Sequence, residues 1–212
     1  MIKLSKASKM PCKSWSLQAL DTCPGSINTD GTLVDACKGC YATTGNYNFP
    51  NVKAPRIHNR DDWKRSDWVS DMVKELKNQS YFRWFDSGDV YDRRLANKIL
   101  DVMKLTPWCK HWLPTRMHKF PKINVVLEVM SKLDNTVVRL SSDSITGEVI
   151  TSTDHSSTII PHAEDATDNM TVCEAYEREG KCEECRACWD KSINTIAYVA
   201  HGRKMIKIIN NL

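Results

Sequence analysis

Between residues 61 and 144 the sequence predicts an α/β fold, with parallel strands joined by helical crossovers. Three observations lead there. Helical and strand-like hydrophobic patterns alternate over that span as helix, strand, helix, strand, helix, strand. Each expected strand closes on polar residues, "DSGD", "PTR" and "SSDS" in turn, and carboxyl ends of parallel strands are where such sheets place ligands. Cysteine-rich segments flank the span on both sides, and the first of them is too long and irregular to be ordered by a hydrophobic core alone.

The elements follow in order. Residues 1–60 carry Gly25, Gly31, Gly39 and Gly45 with Pro11, Pro24, Pro50 and Pro55, which predicts loops around one short strand near 13–20. Trp63, Trp68, Met72, Val73 and Leu76 recur near helical spacing, predicting a helix over 61–79 with Asp61 or Asp62 as its N-cap. "YFRWFDSGD" (81–89) is an aromatic strand that ends polar. Leu95, Ile99, Leu100, Val102 and Met103 give 92–105 an amphipathic helix that stops before Pro107. "KHWLPTR" (110–116) is a strand, 120–133 a helix with Pro121 in its first turn, and "TVVRLSSDS" (136–144) a β-branched strand. Residues 145–165 read as loop and strand, and "NTIAYVAHG" (194–202) as the last strand. The expectation is one domain over 1–212. It divides into a cysteine-rich segment (1–60), an α/β core (61–165) and a C-terminal cysteine run with its strand (166–212).

A net charge of +4, from 30 basic and 26 acidic residues, is too mild for a dedicated nucleic-acid binder. No stretch approaches the roughly 20 apolar residues of a membrane span. No apolar run follows the charged "MIKLSKASKM", so a reducing cytoplasm is the expected location. Structural disulfides are rare there. The nine cysteines, an odd number, therefore point to metal ligation or redox chemistry.

Cys182, Cys185 and Cys188 form a C-x2-C-x2-C run, the spacing that wraps three corners of a cubane cluster while a more distant cysteine supplies the fourth. Cys173 is that cysteine here. Zinc, usually held by two separated pairs, and buried free thiols are the alternatives. Cys12, Cys23, Cys37 and Cys40 form a second candidate metal set, with wider spacing, suited to zinc or a 4Fe–4S cluster. The two sets can also mix across the fold. Cys109, apart from both, reads as core.

Asp86, Ser87, Gly88 and Asp89 at the first strand end are a candidate ligand loop or an ordinary turn with a helix cap. Arg83 and Arg116 have the fork to hold an anion. Ser141, Ser142 and Asp143 close the third strand. Tyr41 either shields a metal or belongs to the core. The six histidines fall in no ligating pattern, and His201, at a strand end, is the best placed of them. No Walker loop, G-x-G-x-x-G or serine elbow is present.

The stretches "LSKASKMPCKSWSLQA", "TCPGS", "CKGCYATTGNY", "FRWFDSGDV", "LPTR", "RLSSD", "VCEA", "CEECRACWD" and "YVAH" together resemble the bacteriophage family known as Gene product 88. More distantly the chain resembles radical SAM proteins. That second resemblance implies a partial (β/α) barrel with a 4Fe–4S cluster at its open end. It also implies S-adenosylmethionine on the open iron, with "FDSGD" where that superfamily often has a glycine-containing motif for the methionine amine. If the chain is an enzyme, a small molecule is expected near Asp86, Asp89, Arg116 and Asp143. The sequence departs from the usual C-x3-C-x2-C loop, having Cys23-x13-Cys37-x2-Cys40. If Cys12 fills the fourth corner, the open iron is lost. The leading expectation is an iron–sulfur protein with one or two clusters and a small-molecule ligand, working in the host cytoplasm. A zinc-stabilised module binding a host protein or nucleic acid, and a virion component, are the other readings.

Overall fold

The computed structural model describes residues 1–7 and 9–212; Ser8, inside the first matching stretch, lies outside them. The elements are β1 (Lys13–Trp15), a single helical turn α1 (Asp35–Lys38), α2 (Pro50–Asp62), α3 (Trp68–Leu76), β2 (Tyr81–Trp84), α4 (Arg93–Leu105), β3 (Lys110–Thr115), α5 (Pro121–Ser131), β4 (Thr136–Ser141), β5 (Ser156–Ile160), β6 (Met170–Cys173), β7 (Thr195–Val199) and α6 (Arg203–Ile209). The seven strands form one sheet in the order β1-β2-β3-β4-β5-β7-β6. Every pairing is parallel, so all carboxyl ends lie along one rim. The alternation expected over 61–144 is present as α3, β2, α4, β3, α5 and β4.

Strand alternation separates two faces. Phe82, Trp84, Leu113, Val138 and Leu140 join the main core with Leu76, Leu95, Ile99, Met103, Val126 and Met130 from the helices. The opposite face has little helical cover. There Trp112 packs with Trp189 and Cys12, and Tyr81, Met10 and Cys188 close around them. The C-terminal cysteine segment is thus the lid of that face, and Trp189 Nε1 donates to Phe82 O at 2.9 Å.

His111 lies in the helix-covered core, fully buried, stacked on Trp84 with ring centroids 6.1 Å apart and hydrogen-bonded to Thr106 Oγ1 at 2.9 Å. Burial pushes its pKa down from 6.5 to about 3. Between those values the unfolded chain takes up a proton that the folded chain refuses, so stability falls as pH drops. The slope expected from this one group is roughly 1.4 kcal/mol per pH unit. Urea unfolding at pH 7, 5 and 4 should show that slope, and His111→Gln should remove this part of it.

Two sequence expectations need correction. Residues 1–60 are not all loop: α2 begins at Pro50, and Asp61 and Asp62 end that helix rather than capping the next. Pro50 fits the first helical position, where no N–H bond is lost. The buried residues of α2 are Arg56 and Asn59, not apolar ones, so no hydrophobic period announces it. The edge strand β6 and the short α6 were also not expected. Among the described residues no helix is long and apolar enough to cross a membrane.

Candidate metal and ligand sites at the strand ends

Past β2 the chain turns sharply. Phe85 adopts φ 57° and Gly88 φ 77°. A Cβ on Gly88 would sit 2.6 Å from Leu17 Cβ and 2.7 Å from Thr22 Oγ1, so only glycine lets this loop lie against the segment after β1. Leu17 N donates to Ser87 O at 3.0 Å, and Ser87 Oγ to Leu17 O at 2.7 Å.

The loop's carboxylates are occupied by the chain itself. Asp86, 4% exposed, accepts from Arg56 (2.9 Å), Tyr47 (3.2 Å) and Ser16. Arg56 Nε also donates to Ser87 Oγ at 2.6 Å. Asp89 accepts from Thr115 Oγ1 (2.7 Å), Val90 N (2.7 Å) and Arg116 N (2.9 Å), and burial raises its pKa against those bonds. Asp86, Ser87 and Asp89 therefore brace the ends of β1, β2 and β3. Tyr41 exposes 48% of its surface but turns its hydroxyl inward, onto Asp86 O at 2.7 Å.

Cys23, Cys37 and Cys40 gather beside this brace. Cys23 precedes a 3-10 turn (Pro24–Ser26), and Cys37 lies in α1. Burial pushes Cys23 up to about 12, with Asp89, Cys37 and Cys40 adding to the shift. Burial also raises Cys37; Arg116 opposes it, while Cys40, Asp143 and Asp89 reinforce it. Gly39 stands between Cys37 and Cys40 because α6 leaves no space for more. A Cβ there would meet Met205 Cε at 2.6 Å. Arg116 donates to Ser142 O at 2.7 Å, and its Nε faces Asp143 Oδ1 at 3.4 Å without a hydrogen bond. Lys119 pairs with the other Asp143 oxygen. Apart from the ion pair between them, Arg116 Nε and Asp143 Oδ1 are buried without a hydrogen bond among the described residues. Of the expected ligand residues, these two and Arg83 keep side-chain atoms without a hydrogen bond.

Cys173, Cys182, Cys185 and Cys188 line one cavity of about 180 Å³, with Arg178 and Trp189 in its wall. Cys173 ends β6; the other three belong to the segment leading to β7. Cys188 Sγ lies 3.5 Å from the Tyr198 hydroxyl, and burial pushes its pKa up to about 11. Cys12 belongs here rather than with Cys23, Cys37 and Cys40. It packs with Trp189 and Cys188, and Cys182 is among the groups that raise its pKa. Proximity in sequence misplaces it because β1 carries it onto the opposite face. Cys109 is buried, as expected.

Arg139, fully buried in β4, secures the segment that carries Cys188. Its five N–H groups donate to the carbonyls of Cys188 (3.1 Å), Ala187 (3.0 Å), Asp190 (3.0 Å), Ile193 (2.9 Å) and Asn194 (3.1 Å). Arg56, Tyr47, Arg139 and Tyr198 were not singled out by the sequence. A buried arginine amid β-branched neighbours was the one available signal, in "VVRLS".

All nine cysteines are free thiols. Among the described residues no three His, Cys, Asp or Glu side chains stand close enough to hold a metal ion without moving. The donors nevertheless suit thiophilic metals: four thiols share one cavity and three share one strand-end cluster.

An all-parallel sheet with a brace of buried carboxylates at its rim and two cysteine groups around it defines a cysteine-rich α/β protein. The chain belongs to the Gene product 88 family, whose family model matches residues 2–191. "YVAH" and α6 lie beyond that match. Comparison with curated proteins and with solved structures finds no match.

Proposed function

We propose that this phage-type chain is an iron–sulfur protein on a partial (β/α) barrel related to the radical SAM fold. In this reading it carries a 4Fe–4S cluster on Cys23, Cys37 and Cys40. The observation behind it is the separation of Cys12 from those three thiols. Three thiolates leave one corner of a four-iron cubane without a protein ligand. Arg116 Nε and Asp143 Oδ1 lie beside Cys37, facing each other at 3.4 Å without a hydrogen bond, and would suit the carboxylate and amine of a small molecule at that corner. S-adenosylmethionine is the candidate. Such a cluster supplies one-electron reduction of a ligand on its open iron. Cys173, Cys182, Cys185 and Cys188 hold a second metal, either another cluster or zinc. Metal loading draws the thiols together and releases their protons, against the burial that keeps Cys23 and Cys188 protonated. The reducing host cytoplasm suits nine free thiols.

Anaerobic purification followed by iron, sulfide and zinc analysis tests this. The expected result is about four irons and four sulfides per cluster, with absorption near ~400 nm. Cys37→Ala should lose one cluster's iron and keep the C-terminal metal; Cys185→Ala should do the reverse. S-adenosylmethionine should perturb the reduced cluster's electron paramagnetic resonance spectrum in wild type and not in Cys37→Ala. Zinc without iron or sulfide would overturn the redox reading and leave a metal-stabilised binding module.

A further inference from the structure

Arg83 extends from β2 onto the lidded face of the sheet. Its guanidinium lies over the Trp112 ring, 4.5 Å from the centroid. One terminal nitrogen donates to the Tyr41 hydroxyl at 3.3 Å, and the other approaches Met10 Sδ at 3.7 Å. Nε is buried and unpartnered among the described residues. Asp86, the carboxylate whose field reaches Arg83, is taken by Arg56 at 2.9 Å. Among the described residues no carboxylate forms an ion pair with Arg83.

A half-buried guanidinium set among an aromatic ring, a thioether and a phenol, with its Nε out of water, is stabilised by a nearby anion. The cysteines beyond Met10 would supply such an anion on holding a metal. Met10 Sδ lies 3.7 Å from the Arg83 guanidinium and 3.9 Å from Cys182 Sγ, so a single thioether separates the cation from the cysteine cavity. Loading the four-cysteine cavity turns neutral thiols into a metal-thiolate centre with net negative charge.

We infer that Arg83 is a positioning residue for the C-terminal cysteine site: it is the counter-cation of the metal-thiolate centre, held in place by Tyr41 and Trp112. The inference rests on the reading of those cysteines as metal ligands. It adds that retention of the metal depends on a cation from β2, far from the cysteines in sequence.

The test is metal release to a chelator from the full-length loaded protein under anaerobic conditions. Arg83→Gln should release the C-terminal metal roughly tenfold faster than wild type, as when outer-shell partners of a metal site are removed. Arg83→Lys, which keeps the charge, should stay within about threefold of wild type. Tyr41→Phe, which frees the guanidinium on one side, should give an intermediate rate. It serves as the deciding variant if Arg83→Gln does not fold. Unfolding midpoints of the metal-free proteins should agree between Arg83→Gln and Arg83→Lys, which a packing role would not produce. Equal release rates in wild type and Arg83→Gln, or an Arg83→Lys as fast as Arg83→Gln, would overturn the inference. Equal metal content in wild type and Cys185→Ala would instead overturn the metal-site reading, and this inference with it.

Discussion

Arg139→Met should destabilise the protein by about 4 kcal/mol or more, within the range for breaking a buried charged network. Five carbonyls would lose their donor, and each buried acceptor left unmade costs about 1–3 kcal/mol before relaxation. Relaxation is possible here because residues 187–194 are a segment, not a strand, and can swing toward water. The consequence should therefore be local as well as global. Hydrogen exchange should speed up across 187–194, and the metal that the proposed function places on the C-terminal cysteines should be lost. The cluster proposed on Cys23, Cys37 and Cys40 should stay, since Arg139's partners all lie within 187–194. Arg139→Lys keeps the charge but has three donors for five acceptors, so an intermediate loss is expected. Urea unfolding with site-resolved exchange separates these outcomes; unchanged protection at 187–194 would refute the account.

The second large effect is expected at the Arg56–Asp86 pair. Both residues are 4% exposed and lie 2.9 Å apart. Asp86→Ala leaves a buried guanidinium without its anion and should cost about 3–5 kcal/mol. It also frees Tyr47 and Ser16, which donate to the same carboxylate. Arg56→Met alone leaves the carboxylate unpaired and should cost a similar amount. The double variant, with neither charge, should be more stable than the sum of the two losses predicts. A double-mutant cycle by urea denaturation measures that difference, and additivity would show that the two side chains do not depend on each other.

These two arginines also mark where sequence reading stopped. Trp68, Met72 and Leu76, or Leu95, Ile99 and Met103, announce their helices because an apolar face must be buried at helical spacing. Arg56 and Asn59 bury a polar face of α2, which looks in sequence like a solvated one, and Pro50 and Pro55 read as loop punctuation. The strand-end motifs were visible as ligand candidates, but Asp86 and Asp89 turn out to be hydrogen-bonded by their own chain. Arg116 and Asp143 keep unpartnered atoms, and nothing in their local sequence sets them apart from the other two.

The class of fold, the order of its central elements, the presence of two cysteine groups and the family itself were legible residue by residue. Hydrophobic period, turn residues and short spacings act over a few positions, and the one-dimensional pattern records them. The membership of each cysteine group was not legible. Cys12 stands eleven residues before Cys23 in the chain, yet it joins the Trp112 and Trp189 cluster that Cys188 packs against, on a face closed by the last third of the molecule. Arg139 and Arg83 likewise find their partners through the sheet, by projecting from β4 and β2, on either side of β3, onto one face. Which side chains meet across that face depends on strand order and on which face each side chain takes, and both are set by packing between segments far apart in the sequence.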